Sequence, residues 1–79
     1  MDEEHKKILK ILYESYTNNK GYQIDNKDLK EKSDFKQEEL ITITNYLEGE
    51  GYIKIEPYLD GFETTITYKG IKLAKKWSK

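Results

Sequence analysis

Hydrophobic positions along this chain change their spacing twice, and those changes divide it into elements. Ile8, Leu9, Ile11, Leu12 and Tyr16 recur at helical intervals among Lys6, Lys7, Lys10 and Glu14, which predicts an amphipathic helix over residues 3 to 17. Acids at its start and lysines further on suit the helix dipole, and Thr17-Asn18-Asn19-Lys20-Gly21 supplies residues that end a helix. Tyr22-Gln23-Ile24 reads as a short extended segment. Asp25 can then cap free amides, Asp28 sits at the third helical position, and Ile24 can pack on Leu29, so a second, short helix is expected from Asn26 to Lys32. After the polar Ser33-Asp34-Phe35, a third helix begins near Lys36 and ends by Gly49 or Gly51. Leu40, Ile43 and Leu47 share its apolar face, with Ile41 and Tyr46 beside them, while Thr42, Thr44 and Asn45 are weak helix formers that packing must override.

Beyond Gly51 the period becomes two. Tyr52-Ile53-Lys54-Ile55-Glu56 alternates, Leu59-Asp60-Gly61-Phe62 holds a turn signal, and Glu63 to Tyr68 returns as a β-branched run, together a hairpin. Pro57 lies near the turn, where a missing amide costs least. Gly70, Leu73, Ala74 and Trp77 then share one helical face and Lys72, Lys75, Lys76 and Lys79 the other, a closing amphipathic helix. The 79 residues suffice for one core, so a single domain over 1–79 is expected. The α+β order of three helices, a two- or three-stranded wing hairpin and a C-terminal helix resembles the winged helix-turn-helix superfamily over essentially the whole chain.

Two segments carry that resemblance. Asn45-Tyr46-Leu47-Glu48-Gly49-Glu50-Gly51-Tyr52-Ile53 is similar to the junction of recognition helix and wing in small phage-related and archaeal members, including YjcQ-like proteins of Firmicutes. Ile66-Thr67-Tyr68-Lys69-Gly70-Ile71-Lys72-Leu73-Ala74 is similar to the signature in which a threonine leaves the last wing strand and a glycine enters the final helix. Physically, the first junction needs a positive φ, which Gly49 or Gly51 supplies at no steric cost, and Thr67 can cap the last helix. The resemblance implies a third helix that enters the DNA major groove and a wing that touches the backbone or the minor groove.

Charge alters this picture. Residues 36–63 carry net −5, residues 64–79 net +5 and residues 1–35 net −1, with no arginine anywhere. The surface expected to meet DNA is acidic, and base reading falls to Gln37, Thr42, Thr44, Asn45 and lysines. The candidate DNA contacts are therefore Lys36, Gln37, Thr42, Asn45, Lys69 and Lys72. Tyr58, Leu59 and Phe62 form an aromatic, acidic wing tip that either folds back on the hairpin or meets a protein. Trp77 either anchors the last helix to its own domain or meets a second copy. The lysine-rich end is either a solubilising face or a phosphate contact. Tyr13, Tyr16, Tyr22, Tyr46, Tyr52 and Tyr68 are expected at the core edge.

Little points to catalysis or metal binding. Without cysteine and with one histidine, a tetrahedral zinc site is not built. His5, so near the start, is expected to be solvated, and Ser15, Ser33 and Ser78 have no sequence-local partner that marks a nucleophile. Neither cofactor nor enzyme activity is expected. The acidic N-terminus lacks the basic-then-apolar form of a secretory signal, no apolar run is long enough to span a membrane, and cysteine is absent, so a cytoplasmic location is expected. Two functions remain: a DNA-binding transcription regulator, dimeric on symmetric half-sites, or a protein-interaction module using the acidic third helix and the wing tip.

Overall fold

A computed structural model describes residues 1–18 and 23–77. The helix-stopping Asn19, Lys20 and Gly21, the start of the extended segment at Tyr22, and Ser78 and Lys79 lie outside the described residues.

Helix α1 spans Glu3–Thr17 and buries Ile8, Leu9 and Leu12. Strand β1, Gln23–Asp25, leads directly into α2, Asn26–Ser33, where the Asp28 N–H donates to Asp25 Oδ1 at 2.8 Å. That is the cap the sequence predicts. Helix α2 ends at Asp34, whose φ of 63° is left-handed, a conformation aspartate adopts more readily than most residues. Buried Ser33 Oγ accepts the Phe35 N–H at 3.2 Å and so fixes the short turn into α3, Gln37–Gly49. At its start the Lys36 N–H donates to Glu39 Oε1 at 3.0 Å.

Of the two glycines that suit the end of α3, Gly51 takes the left-handed conformation, with φ 83°. Its N–H donates to Glu48 O and the Tyr52 N–H to Leu47 O, each at 2.9 Å, the paired bonds of a Schellman motif. The chain leaves as β2, Ile53–Tyr58, and returns as β3, Gly61–Ile66. Both β1 and β2 pair antiparallel with β3, giving a three-stranded sheet in the order β1-β3-β2. Ile24, Thr64 and Ile55 form one inward row, and the Thr64 hydroxyl donates to Ile24 O at 3.0 Å. The turn falls within the expected Leu59-Asp60-Gly61-Phe62: Tyr58 pairs with Gly61, leaving Leu59 and Asp60 as the turn residues. Gly61 is needed for another reason, since a Cβ there would overlap Asn26 Oδ1, which accepts the Phe62 N–H at 3.1 Å.

The free edge of β2 is blunted. Glu48 Oε2 accepts the Ile55 N–H at 3.0 Å, so residues of that parity present their amides away from β3. Pro57, two positions on, has no amide to present.

Helix α4, Tyr68–Trp77, packs on α1. Tyr68, read as the last strand residue, instead opens this helix because Thr67 caps it: the Gly70 N–H donates to Thr67 Oγ1 at 3.2 Å. The same hydroxyl donates to Gly51 O at 2.6 Å, and the Thr67 N–H to Tyr52 O at 3.0 Å. One core of Ile8, Leu9, Leu12, Ile24, Leu29, Leu40, Ile43, Leu47, Ile53, Ile66 and Ala74 joins every element. With α2, a tight turn and α3 followed by the β2–β3 wing, this is an α+β winged-helix-like fold. No helix among the described residues is long and apolar enough to cross a membrane.

Candidate nucleic-acid interface

Helix α3 buries Leu40, Ile43, Thr44 and Leu47, and helical geometry sets the opposite row as Glu38, Thr42, Asn45 and Gly49. All four are exposed. Thr44 is therefore no base reader: it is 1% exposed and its hydroxyl donates to Leu40 O at 2.8 Å. A buried hydroxyl must find an acceptor, and the backbone one turn earlier supplies it. Thr42 also bonds back, to Glu38 O at 3.0 Å, but from the exposed side. Lys36 and Gln37 stand exposed at the N-terminal end of the same helix.

The acids of residues 36–63 are distributed in a way that net charge conceals. Glu39 and Glu48 each accept a backbone N–H, at Lys36 and at Ile55. Glu56 and Glu63 pair across β2 and β3, and Glu63 pairs with Asp25 of β1, so the three share the outward face of the sheet. Only Glu38 lies in the outward row of α3. That row is mostly neutral and polar.

Its shoulders are apolar. Ile41 and Tyr46, placed by the sequence beside the core face, are exposed, Tyr46 at 43%. His5, expected in solvent, has a side chain only 16% exposed, with its ring 4.4 Å from that of Tyr46. Its Nδ1 is buried without a hydrogen-bond partner and stands 3.8 Å from Asp2 Oδ2. The signal was present in the sequence, since His5 precedes Ile8, Leu9 and Leu12 by three, four and seven residues and so falls on the buried face of α1.

Lys69 and Lys72 are carried by α4 and do not join the α3 row. The Lys69 ammonium crosses the Tyr52 ring at 4.9 Å and donates to Glu50 O at 2.8 Å, where it meets the negative end of α3. Lys72 lies over Tyr68, which is 75% exposed and not at the core edge. Tyr13, Tyr16 and Tyr52 do pack there. At the wing tip Leu59 is 97% exposed and Tyr58 half-exposed, whereas Phe62 is half-buried. Partial desolvation, then the charges of Asp25, Glu63 and Asp60, raise the Tyr58 phenol above its ordinary value. Trp77 packs on the core, with Lys6 over its ring at 5.7 Å.

No known family's sequence pattern and no curated protein matches this chain. Among solved structures, it is similar to the crystal structure of a proposed DNA-binding protein from Ralstonia eutropha JMP134, with a TM-score of 0.87 and 18% sequence identity over all of this chain and 99% of that one. At that identity the likeness is one of fold.

Proposed function

We propose that this chain binds duplex DNA as a transcription regulator of the small phage-related or archaeal winged-helix type, and that it is a cytoplasmic binding module without enzyme activity. The observation that carries the proposal is the outward row of α3: Thr42 and Asn45 stand in the open, on a helix whose other face is locked into the core. Lys36 and Gln37 stand exposed at the N-terminal end of the same helix, beside the row and not in it. Asparagine and glutamine can each take adenine by two hydrogen bonds, and threonine can meet a base edge or a thymine methyl. The similarity of the whole fold to a proposed DNA-binding protein supports the same reading.

The test is selection of bound sequences from a random duplex pool at low salt, followed by fluorescence anisotropy on the selected duplex. The wild type is expected to enrich a defined site. Thr42→Ala with Asn45→Ala is expected to weaken that site by about 1–3 kcal/mol for each base interaction removed while leaving binding to unrelated duplex nearly unchanged. No enrichment by the wild type would end the proposal.

A second reading, a protein-interaction module, draws on Leu59, an isolated apolar side chain 97% exposed beside Tyr58 and Asp60. Leu59→Asp separates the two readings, because it should abolish partner capture under that reading and leave selection of DNA by α3 intact.

A further inference from the structure

We propose that the exposed face of α4 is a separate contact surface for the phosphate backbone of DNA; this rests on the DNA-binding reading and adds to it a location that the α3 row does not contain. Four lysines, Lys69, Lys72, Lys75 and Lys76, lie on the solvent side of a ten-residue helix together with Tyr68. Ile71, Leu73 and Trp77 turn toward the core, and Gly70 and Ala74 are buried. Among the described residues no carboxylate pairs with Lys72, Lys75 or Lys76. Lysines at 69, 72 and 76 stand three, four and seven residues apart, and Lys75 follows Lys72 by three. Such like-charge neighbours on one helix face repel, at about 0.2–0.5 kcal/mol per pair. A local arrangement that costs stability and has no internal counterion fits a surface neutralised by a partner.

The chemistry of the face selects the partner. Protein interfaces exclude lysine from an apolar centre, and the only exposed large apolar side chain here is Tyr68. Insertion into a lipid surface needs an apolar helix face turned outward, yet the apolar side of α4 is spent on α1 and the core. A polyphosphate backbone needs neither. It takes ammonium groups from a polar surface and releases condensed counterions as it does so. Lys69 is the structural member of the set, since it covers the C-terminal carbonyl at Glu50. Lys72, Lys75 and Lys76 are free to meet phosphates, in shallow depressions that they line with Tyr52, Tyr68 and Leu73.

The test measures anisotropy of a labelled mixed-sequence duplex against salt for the full chain, for K72Q/K75Q/K76Q and for K72R/K75R/K76R. The glutamine variant should lose at least about tenfold in affinity at low salt, and its slope of log affinity against log salt should become shallower by about 3, close to one for each phosphate no longer neutralised. The arginine variant should retain both. Because all three positions are exposed and their mutual repulsion is relieved, the glutamine variant should melt at or slightly above the wild-type temperature at low salt, so that its lost binding is not lost folding. Wild-type binding with an unchanged slope in the glutamine variant would overturn this surface and leave the α3 reading standing. Absence of wild-type binding to any duplex would overturn both, and lysine-dependent capture by anionic phospholipid vesicles without duplex binding would reassign the face to membranes.

Discussion

At the scale of single residues, the fold turns on where a side chain cannot be. A Cβ at Gly70 would overlap Tyr52 O and press on Ile66 Cγ1, and neither neighbour can give way. Tyr52 O already accepts the Thr67 N–H at 3.0 Å, while Ile66 is buried in the core. This crossing brings the start of α4 against the end of α3, so it also decides where the lysine face points. Gly70→Ala is expected to lower unfolding free energy by about 3 kcal/mol, the upper range for overpacking a tight site, measured by urea denaturation. A loss below about 1 kcal/mol would mean that the crossing relaxes easily. Gly49, which has open space where a Cβ would go, serves as the matched control.

At the scale of elements, the sheet carries an unfavourable row. Asp25, Glu63 and Glu56 stand opposite one another across β1, β3 and β2, and like charges in register oppose pairing by about 0.2–1 kcal/mol. Glu63 is the middle member. Glu63→Gln removes both repulsions, so it is expected to stabilise the fold by about 0.5 kcal/mol at low salt, with the gain shrinking as salt rises. The same substitution should lower the titration midpoint of Tyr58, followed by NMR of its ring, but not to the ordinary value, because desolvation outranks Glu63 as the cause. The sign is fixed by linkage. A phenol whose native pKa lies above its unfolded one keeps its proton longer when folded, so native stability falls as pH rises past about 10. In Glu63→Gln that alkaline loss should be smaller.

The helices and the hairpin were legible because each buries one face, and burial leaves a period: Leu40, Ile43 and Leu47 announce α3, and alternation from Tyr52 announces β2. Capping by Asp25 and Thr67 was legible for a local reason, since a short polar side chain reaches only its own neighbourhood. What stayed hidden depends on contacts distant in sequence. The Thr64 hydroxyl reaches Ile24 O across forty residues, and Asn26 meets the Phe62 N–H across thirty-six. No periodicity encodes either bond. For the candidate site, Thr42 and Asn45 followed from the helical face, but Thr44 did not, because a hydroxyl that bonds to its own helix backbone can occupy a core position that polarity alone would deny it.

At the scale of the whole molecule, the question is how much specificity one copy can supply. The outward surface of α3 offers two side chains able to read adenine by paired hydrogen bonds, Gln37 and Asn45, and the chain has no arginine to read guanine in that way. At about 2 kcal/mol for each bidentate contact, a single chain gains about 4 kcal/mol, the low end of the roughly 4–10 kcal/mol by which specific sites exceed unspecific DNA. The α4 lysines add affinity without discrimination, since phosphates are the same everywhere. Two copies on a symmetric site would double the discriminating part and bring it well into that range. The expected assembly on a selected duplex is therefore two chains per site, with half-sites about 34–36 Å apart or a multiple of that distance. Light scattering after size exclusion, on the chain alone and with the duplex, measures the stoichiometry directly. Saturation at one chain per duplex with full sequence selection would place the missing discrimination in the wing, and Tyr58 and Leu59 would then be the residues to substitute next.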